Sequence, residues 1–461
     1  MARRRPTRMG LSTARRKAIG PRRRVTLRRA VYALVAALVA GVTLWGAACS
    51  AGGGSTFDDD DDGTGNGGTG GGLLFGGSNS GGGGLPPSIA FLQGRVLAPE
   101  GTIPISGALV YAIRELPAPI PDGVYCERCV DLPATVRYEL TAADGTFTLG
   151  VPSLGNWNLV VQKGSFRRVR NVSVAAEGQT VQVPQENTTL PRQNNPAAGD
   201  NIPKIAVSFG IWDDIQDSLA KLGLGNVANG GLIAGSESFD IYQGSDSSDY
   251  SGVSKGPGDM LLTQPALLES YNIVFFPCTG SWPDGLLSDS TVIANLRSFV
   301  EKGGRLYSTD YSYDVVKRAF LQEAPINWEG DYGGFGDAES GNYDAAAIVN
   351  DPDMAAWLAA QNVTNFMLED NWTVVTNVNS YSAPDENGTL TTLDPTVWVN
   401  GPQGSGLGAA TISFQYGCGR ALFSTYHTEA WGTDSLMPQE RALLYIVLEI
   451  GVCIGDYPPP R

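Results

Sequence analysis

Histidine is almost absent from this chain: His427 is the only one in 461 residues. That excludes paired-histidine metal motifs such as HExxH. Cysteine is also sparse, with six in all. The only CxxC is "CERC", Cys126–Cys129, and no histidine lies within reach of it in sequence, so a complete zinc site of the finger type is excluded. Basic residues are scarce beyond the start. The first 29 residues hold twelve Arg or Lys and no acid, whereas the rest carries 20 basic against 47 acidic residues, a net charge of about −27. Phosphates would repel such a surface, which excludes nucleic acid as a partner.

What the chain does have begins at its N-terminus. After the basic stretch come 19 uncharged, mostly apolar residues, Ala30–Ala48, and then Cys49. A basic start, an apolar core and small residues before a cleavage point make a secretory signal over residues 1–48. An uncleaved membrane anchor is the competing reading, since 19 residues just span a bilayer. The stretch "GAAC" resembles the bacterial lipobox, with Gly46 where Leu is usual. The resemblance implies lipidation (palmitate) of Cys49. Ser50 after it implies sorting to the outer membrane or cell surface, with the membrane as a partner.

Residues 49–88 are Gly/Ser-rich and contain five successive aspartates, Asp58–Asp62. This composition cannot bury enough apolar surface to order itself. It reads as a disordered tether with a mean reach of roughly 35 Å. Residues 89–190 carry short strands separated by turns. "VRYELTAADGTFTLGVP" reads as a hairpin around Ala143-Asp144-Gly145. Strands at this spacing predict a small all-β sandwich. "GRVLAPEGTIPISGALVYAI", "TAADGTFTLGVP" and "WNLVVQKGSFRRV" resemble the carboxypeptidase regulatory-like (transthyretin-like) domain, a fold without catalysis of its own. The loop "RELPAPIPDGVYCERCVDLPATV" is an insertion that a Cys126–Cys129 bridge would stiffen.

Residues 191–202 form a polar hinge with two prolines. Beyond it, residues 203–455 alternate strand and helix patterns before a short tail, 456–461. "KIAVSFGI", "YNIVFFPC", "RLYSTDYS" and "CGRALFSTYH" are strands. "WDDIQDSLAKLGL", "SDSTVIANLRSFVEKGG" and "PQERALLYIVLEIGVC" are helices. The alternation predicts a doubly wound, flavodoxin-like α/β parallel sheet. "YNIVFFPCTGS…LRSFVEKGGRLYSTDYSYDVV" and "CGRALFSTYHTEA…QERALLYIVLEI" resemble the class I glutamine amidotransferase-like fold, in its trehalose-utilisation branch. Cys418 begins the last strand and the final helix runs back toward it, so a Cys418–Cys453 bridge is expected.

In open parallel sheets, ligands bind beyond the carboxyl ends of the strands. Cys278, Asp310 and His427 fall there: a thiol, a carboxylate and an imidazole that could act as nucleophile, orienter and base. Against this, catalytic amidotransferases carry their cysteine on a G-x-C-x-G elbow. This chain has Ser308-Thr309-Asp310-Tyr311-Ser312 in that place. Asp310, His427 and Glu429 are zinc-type ligands without a spacing motif, so no metal and no cofactor is expected. Tyr311, Trp282 and Trp431 join Asp310, His427 and Glu429 as the expected lining of a ligand pocket. The reading that leads is a lipid-anchored surface protein with a degenerate amidotransferase-like domain that binds a glycan or envelope protein, or serves envelope structure, without catalysis. A cysteine- or metal-dependent hydrolase of envelope glycans or peptides is the alternative, and a carbohydrate-binding module the third.

Overall fold

The computed structural model describes residues 85–126, 130, 132–279, 282, 284–338, 341–402, 408–428 and 433–449. These all fall in one compact unit. Cys49, Cys129, Glu429, Trp431 and Cys453 lie outside them, as do the expected signal and most of the expected tether. Among the described residues no helix is long and apolar enough to cross a membrane.

The fold as a whole is mixed α/β. Its N-terminal part holds two sheets. Strands β1 (Ala90–Arg95), β4 (Thr146–Val151) and β7 (Thr180–Gln182) form the first, in the order β4-β1-β7. Strands β2 (Leu109–Ile113), β3 (Tyr138–Leu140), β5 (Gly155–Lys163), β6 (Phe166–Val174) and β8 (Asp200–Asn201) form the second, in the order β3-β2-β5-β6-β8. Apolar side chains of both sheets, among them Leu92, Phe147, Val110 and Leu159, share one core. Alternate residues of each strand enter it because successive side chains point to opposite faces.

The Ala143-Asp144-Gly145 turn forms, but it does not close a hairpin. Instead β3 pairs with β2 and β4 with β1, so the turn is a corner between sheets. Asp144 accepts hydrogen bonds from the Thr146 N–H (3.0 Å) and hydroxyl (2.7 Å). Gly145 adopts φ +81°, and a Cβ there would lie 2.4 Å from the Val96 carbonyl oxygen. Turn chemistry fixes the reversal, whereas the strands' partners are set by burial elsewhere. Residues 191–202 are likewise docked rather than loose: Arg192 donates to the Gly223 carbonyl at 2.8 Å, and β8 pairs with β6.

The α/β part is built on one eight-stranded sheet. Strands β9 (Ile205–Ser208), β10 (Asp240–Tyr242), β11 (Ile273–Phe276), β12 (Arg305–Thr309) and β16 (Gly419–Ser424) run parallel, in the order β10-β9-β11-β12-β16. That is the doubly wound 2-1-3-4-5 arrangement. The sheet is not wholly parallel as expected. Strands β13 (Ile348–Val349), β14 (Thr396–Asn400) and β15 (Ala409–Tyr416) extend it antiparallel beyond β16. None of the three was among the strands read from the sequence pattern.

Both faces of the parallel strands are buried. In β11, Ile273 and Phe275 enter one core while Val274 and Phe276 enter the other. Helix α1 (Ile215–Leu219) and helix α5 (Pro438–Glu449) pack on the first face. Helix α2 (Ser290–Glu301) packs on the second through Val292, Leu296 and Phe299. Asp289 caps α2 by accepting the Thr291 N–H at 2.8 Å. Two further helices are α3 (Tyr313–Ala319), which follows β12, and α4 (Pro352–Ala360). The first core continues into the N-terminal sheets. Trp357 of α4 joins the two parts by donating from Nε1 to the Pro104 carbonyl at 2.6 Å.

The cysteines pair differently from the expectation. Cys126 is bonded to Cys418, 292 residues away, with Cα atoms 5.1 Å apart. This replaces both the Cys126–Cys129 and the Cys418–Cys453 bridges. The physical reason is the path of the inserted loop, which runs along the N-terminal edge of the α/β sheet. There Asn272 donates to the Gly123 carbonyl at 2.6 Å, and the Val124 N–H donates to the Glu269 carbonyl at 2.8 Å. Gly303, at φ +116°, lets Tyr125 pass, since a Cβ would meet its carbonyl oxygen at 2.0 Å. The loop thus delivers Cys126 to the β15–β16 turn that holds Cys418.

Candidate functional site: a buried cysteine, aspartate and histidine at three strand ends

Cys278 follows β11, Asp310 follows β12 and His427 lies just beyond β16, three strands that are neighbours in the sheet. Their side chains converge: sulfur, carboxylate oxygen and ring nitrogen all lie within 4.8 Å of one another. Cys278 and His427 are 3% exposed and Asp310 is 0% exposed. His427 Nε2 lies 2.9 Å from Asp310 Oδ2.

Asp310 sits in the sharp turn between β12 and α3. Its φ is +43°, a left-handed value that aspartate tolerates better than most residues. Two hydrogen bonds hold the turn that follows. Ser308 Oγ donates to the Ser312 carbonyl at 2.5 Å, and Ser312 Oγ donates to the Pro277 carbonyl at 2.7 Å. The turn aims the Asp310 carboxylate at His427. Asp310 Oδ2 also accepts the Trp372 N–H at 3.2 Å.

Five residues given no role in the sequence reading organise this cluster. Asp213 is fully buried in the loop after β9. Its Oδ2 accepts the Thr309 hydroxyl at 2.5 Å, and its Oδ1 accepts both the N–H of Thr428 at 2.9 Å and the Thr428 hydroxyl. Thr309 Oγ1 in turn accepts the Cys278 N–H at 2.7 Å. Asp213 therefore fixes the neighbours of both Asp310 and His427 and, through Thr309, the backbone of Cys278. Gln439, on α5, donates from Nε2 to the His427 carbonyl at 2.8 Å. Gly210 must lack a side chain, because a Cβ would lie 2.5 Å from the Cys278 carbonyl oxygen. The available signal was positional. "WDDI" directly follows the first strand, and its loop opens at the point where strand order reverses.

Burial pushes the Cys278 thiol up, and the charge of Asp310 adds to this, while His427 and the Tyr311 N–H oppose it. Burial also pushes the Asp310 carboxyl up, against its hydrogen bonds from His427 and Thr373. The resting thiol is therefore protonated at neutral pH. The arrangement can pass that proton to an imidazole, orient the imidazole with a carboxylate, or gather the three groups around a cation.

Of the aromatics expected to line a pocket, Trp431 lies outside the described residues and the other two pack with one core. Trp282 is 3% exposed and packs edge-on against Phe276, with ring centroids 5.7 Å apart. Tyr311 is half-buried against the core that holds Phe276.

No protein-family model matches the chain, and no curated protein matches it. Solved structures give coarse likenesses. A putative ThuA-like protein from Bacteroides uniformis is 11% identical, covering 55% of this chain and 93% of the other at a TM-score of 0.33. A ThuA-like protein from Parabacteroides merdae is also 11% identical, covering 55% and 92% at 0.30. A GH42 β-galactosidase from G. stearothermophilus is 13% identical, covering 55% of this chain and 30% of the other at 0.27. This chain thus spans less than a third of the galactosidase's length.

Proposed function

We propose that the α/β part carries a thiol-dependent hydrolase site. Cys278 is the nucleophile, His427 the base and Asp310 the residue that orients the base. One observation carries this reading: three chemically complementary side chains on three adjacent strands, all within 4.8 Å at the ligand-binding end of the sheet. Proton transfer from Cys278 to His427 yields a thiolate beside the Tyr311 N–H. The thiolate adds to an acyl carbon, and the protonated His427 returns the proton to the leaving group. With the thiol 3% exposed, a substrate reaches it only when a covering segment shifts. Trp372 belongs to such a segment: its N–H holds Asp310 while its side chain is 37% exposed.

The N-terminal sheets are read as a carboxypeptidase regulatory-like β-sandwich that presents this site. The lipobox-like Cys49 and the tether support attachment to the outer membrane or cell surface, with envelope peptides or glycans as the substrate class. The near-complete burial of the site favours a second reading, a non-catalytic binding or structural module in which the cluster only shapes the sheet edge. Assays with ester and amide model substrates separate the two. Turnover that disappears in Cys278→Ala and falls at least a hundredfold in His427→Gln supports the hydrolase. Wild-type protein with no turnover and no covalent labelling of Cys278 by a thiol-reactive acyl probe rules it out.

A further inference from the structure

The geometry points to a second property of the same three residues: Cys278, Asp310 and His427 form a binding site for a single Zn²⁺ ion that masks the thiol. The proposal shares its residues with the thiol reading and bears on the regulation of that site.

Zinc takes thiolate sulfur at about 2.3 Å, imidazole nitrogen at about 2.0–2.1 Å and carboxylate oxygen at about 2.0–2.2 Å. A tetrahedral ion therefore needs its donors about 3.3–3.6 Å apart. Here all three donors lie within 4.8 Å of one another, and the His427–Asp310 separation is 2.9 Å. Shifts of a few tenths of an ångström around those two side chains, with a modest approach of the sulfur, complete the cage. Three protein ligands leave a fourth position for water, as in open zinc sites.

The donor set selects the ion. One thiolate, one imidazole and one carboxylate suit zinc and its neighbours in the transition series, whereas calcium and magnesium require oxygen donors throughout. The surroundings are those a metal site needs. Asp310 is held by the Trp372 N–H, the His427 carbonyl by Gln439, and the backbones of all three ligands by the Asp213–Thr309–Thr428 network. The ligands come from the ends of three packed strands, so the site exists before any ion arrives. Binding expels the thiol proton to solvent and forms a sulfur–zinc bond, so the sulfur no longer attacks carbon.

The test uses the full chain with its disulfide intact. Co²⁺, which takes the same ligands, is titrated and followed by its thiolate charge-transfer absorption. Zn²⁺ stoichiometry is measured by equilibrium dialysis and elemental analysis. The expected result is one ion per chain and a charge-transfer band that is absent in Cys278→Ser. Affinity should be at least tenfold weaker in Asp310→Asn. Saturating Zn²⁺ should slow iodoacetamide labelling of the Cys278 peptide at least tenfold, and a chelator should restore it. Circular dichroism confirms that each variant is folded. No charge-transfer band in the wild type overturns the proposal. So does binding that persists unchanged in Cys278→Ser, which assigns the ion to another place such as Asp58–Asp62. None of these readouts requires turnover. A protein that binds zinc without hydrolysing anything sinks the thiol reading alone, and one that hydrolyses without binding zinc sinks this one alone.

Discussion

The carboxylate of Asp213 holds the backbone N–H of Thr428 at 2.9 Å across 215 residues of sequence. The same side chain accepts the Thr309 hydroxyl, so one buried group fixes the chain next to both Asp310 and His427. Replacing it with alanine strands two buried hydroxyls and an N–H, and each orphaned buried group costs about 1–3 kcal/mol. Asp213→Ala is expected to lose about 3 kcal/mol or more in urea unfolding. Asp213→Asn, which retains one acceptor, should lose less. Labelling of Cys278 in folded Asp213→Asn should still change, because its backbone hangs from Thr309.

The Cys126–Cys418 bridge closes a loop of nearly 300 residues. The chain-entropy account assigns such a loop roughly 6 kcal/mol, and removal of a native bridge typically costs about 2–5 kcal/mol. Cys126→Ser and Cys418→Ser should each lower the thermal midpoint by a similar amount, and the double variant should add little to either. Non-reducing peptide mapping should recover a fragment joining Cys126 to Cys418. Recovery of Cys126 joined to Cys129 instead would contradict the pairing.

Lys221 and Glu440 form an ion pair at 3.2 Å with both side chains fully buried. Burial pushes the Glu440 carboxyl up, against the opposing effects of Lys221, the Met437 N–H and the Ser218 hydroxyl. Lys221→Met leaves that carboxylate without its cation and should cost about 3–5 kcal/mol. Adding Glu440→Gln removes the stranded charge but keeps an acceptor for Ser218. The double variant is therefore expected to be more stable than Lys221→Met by chemical denaturation.

Asp200 sits between Arg168 and Arg170, 2.8 Å from each. Burial alone would raise its carboxyl, but the hydrogen bonds and charges of the two arginines outweigh burial and hold it below the usual carboxylate range. A depressed folded value means stability that is fully present above the unfolded value of about 3.9. That contribution fades as pH falls through the folded value. Between about pH 4.5 and 2.5 the wild type should lose stability more steeply than Asp200→Asn, measured as urea midpoints.

The α/β pattern was readable in the chain because β9 and β11 are nearly continuous apolar runs, as a sheet covered on both faces requires, and helical patterns alternate with the strands. Their carboxyl ends then placed Cys278, Asp310 and His427 on one edge without further information. Asp213 was not legible, since a buried aspartate in "WDDIQDSL" has the same local pattern as an exposed helix start. The antiparallel strands β13 and β14 were hidden for a related reason: strands of two and five residues carry little periodicity. The disulfide escaped because proximity in sequence favoured Cys129, while the actual partner depends on where the long loop after β2 comes to rest. The corner at Gly145 shows the same division. A turn is encoded by a few residues, whereas the pairing of the strands it joins is encoded by the rest of the fold.

The bridge between Cys126 and Cys418 also has a mechanical meaning. Tension applied between residues before Cys126 and residues after Cys418 crosses from one to the other through the sulfur–sulfur bond. The intervening chain, with β9, β11, β12, Cys278 and Asp310, forms a ring that carries none of that load along its backbone. His427 lies outside the ring, on the loaded path. A pull strong enough to peel β16 would therefore withdraw the imidazole from a thiol and a carboxylate that stay in place, which makes His427 the force-sensitive member of the cluster.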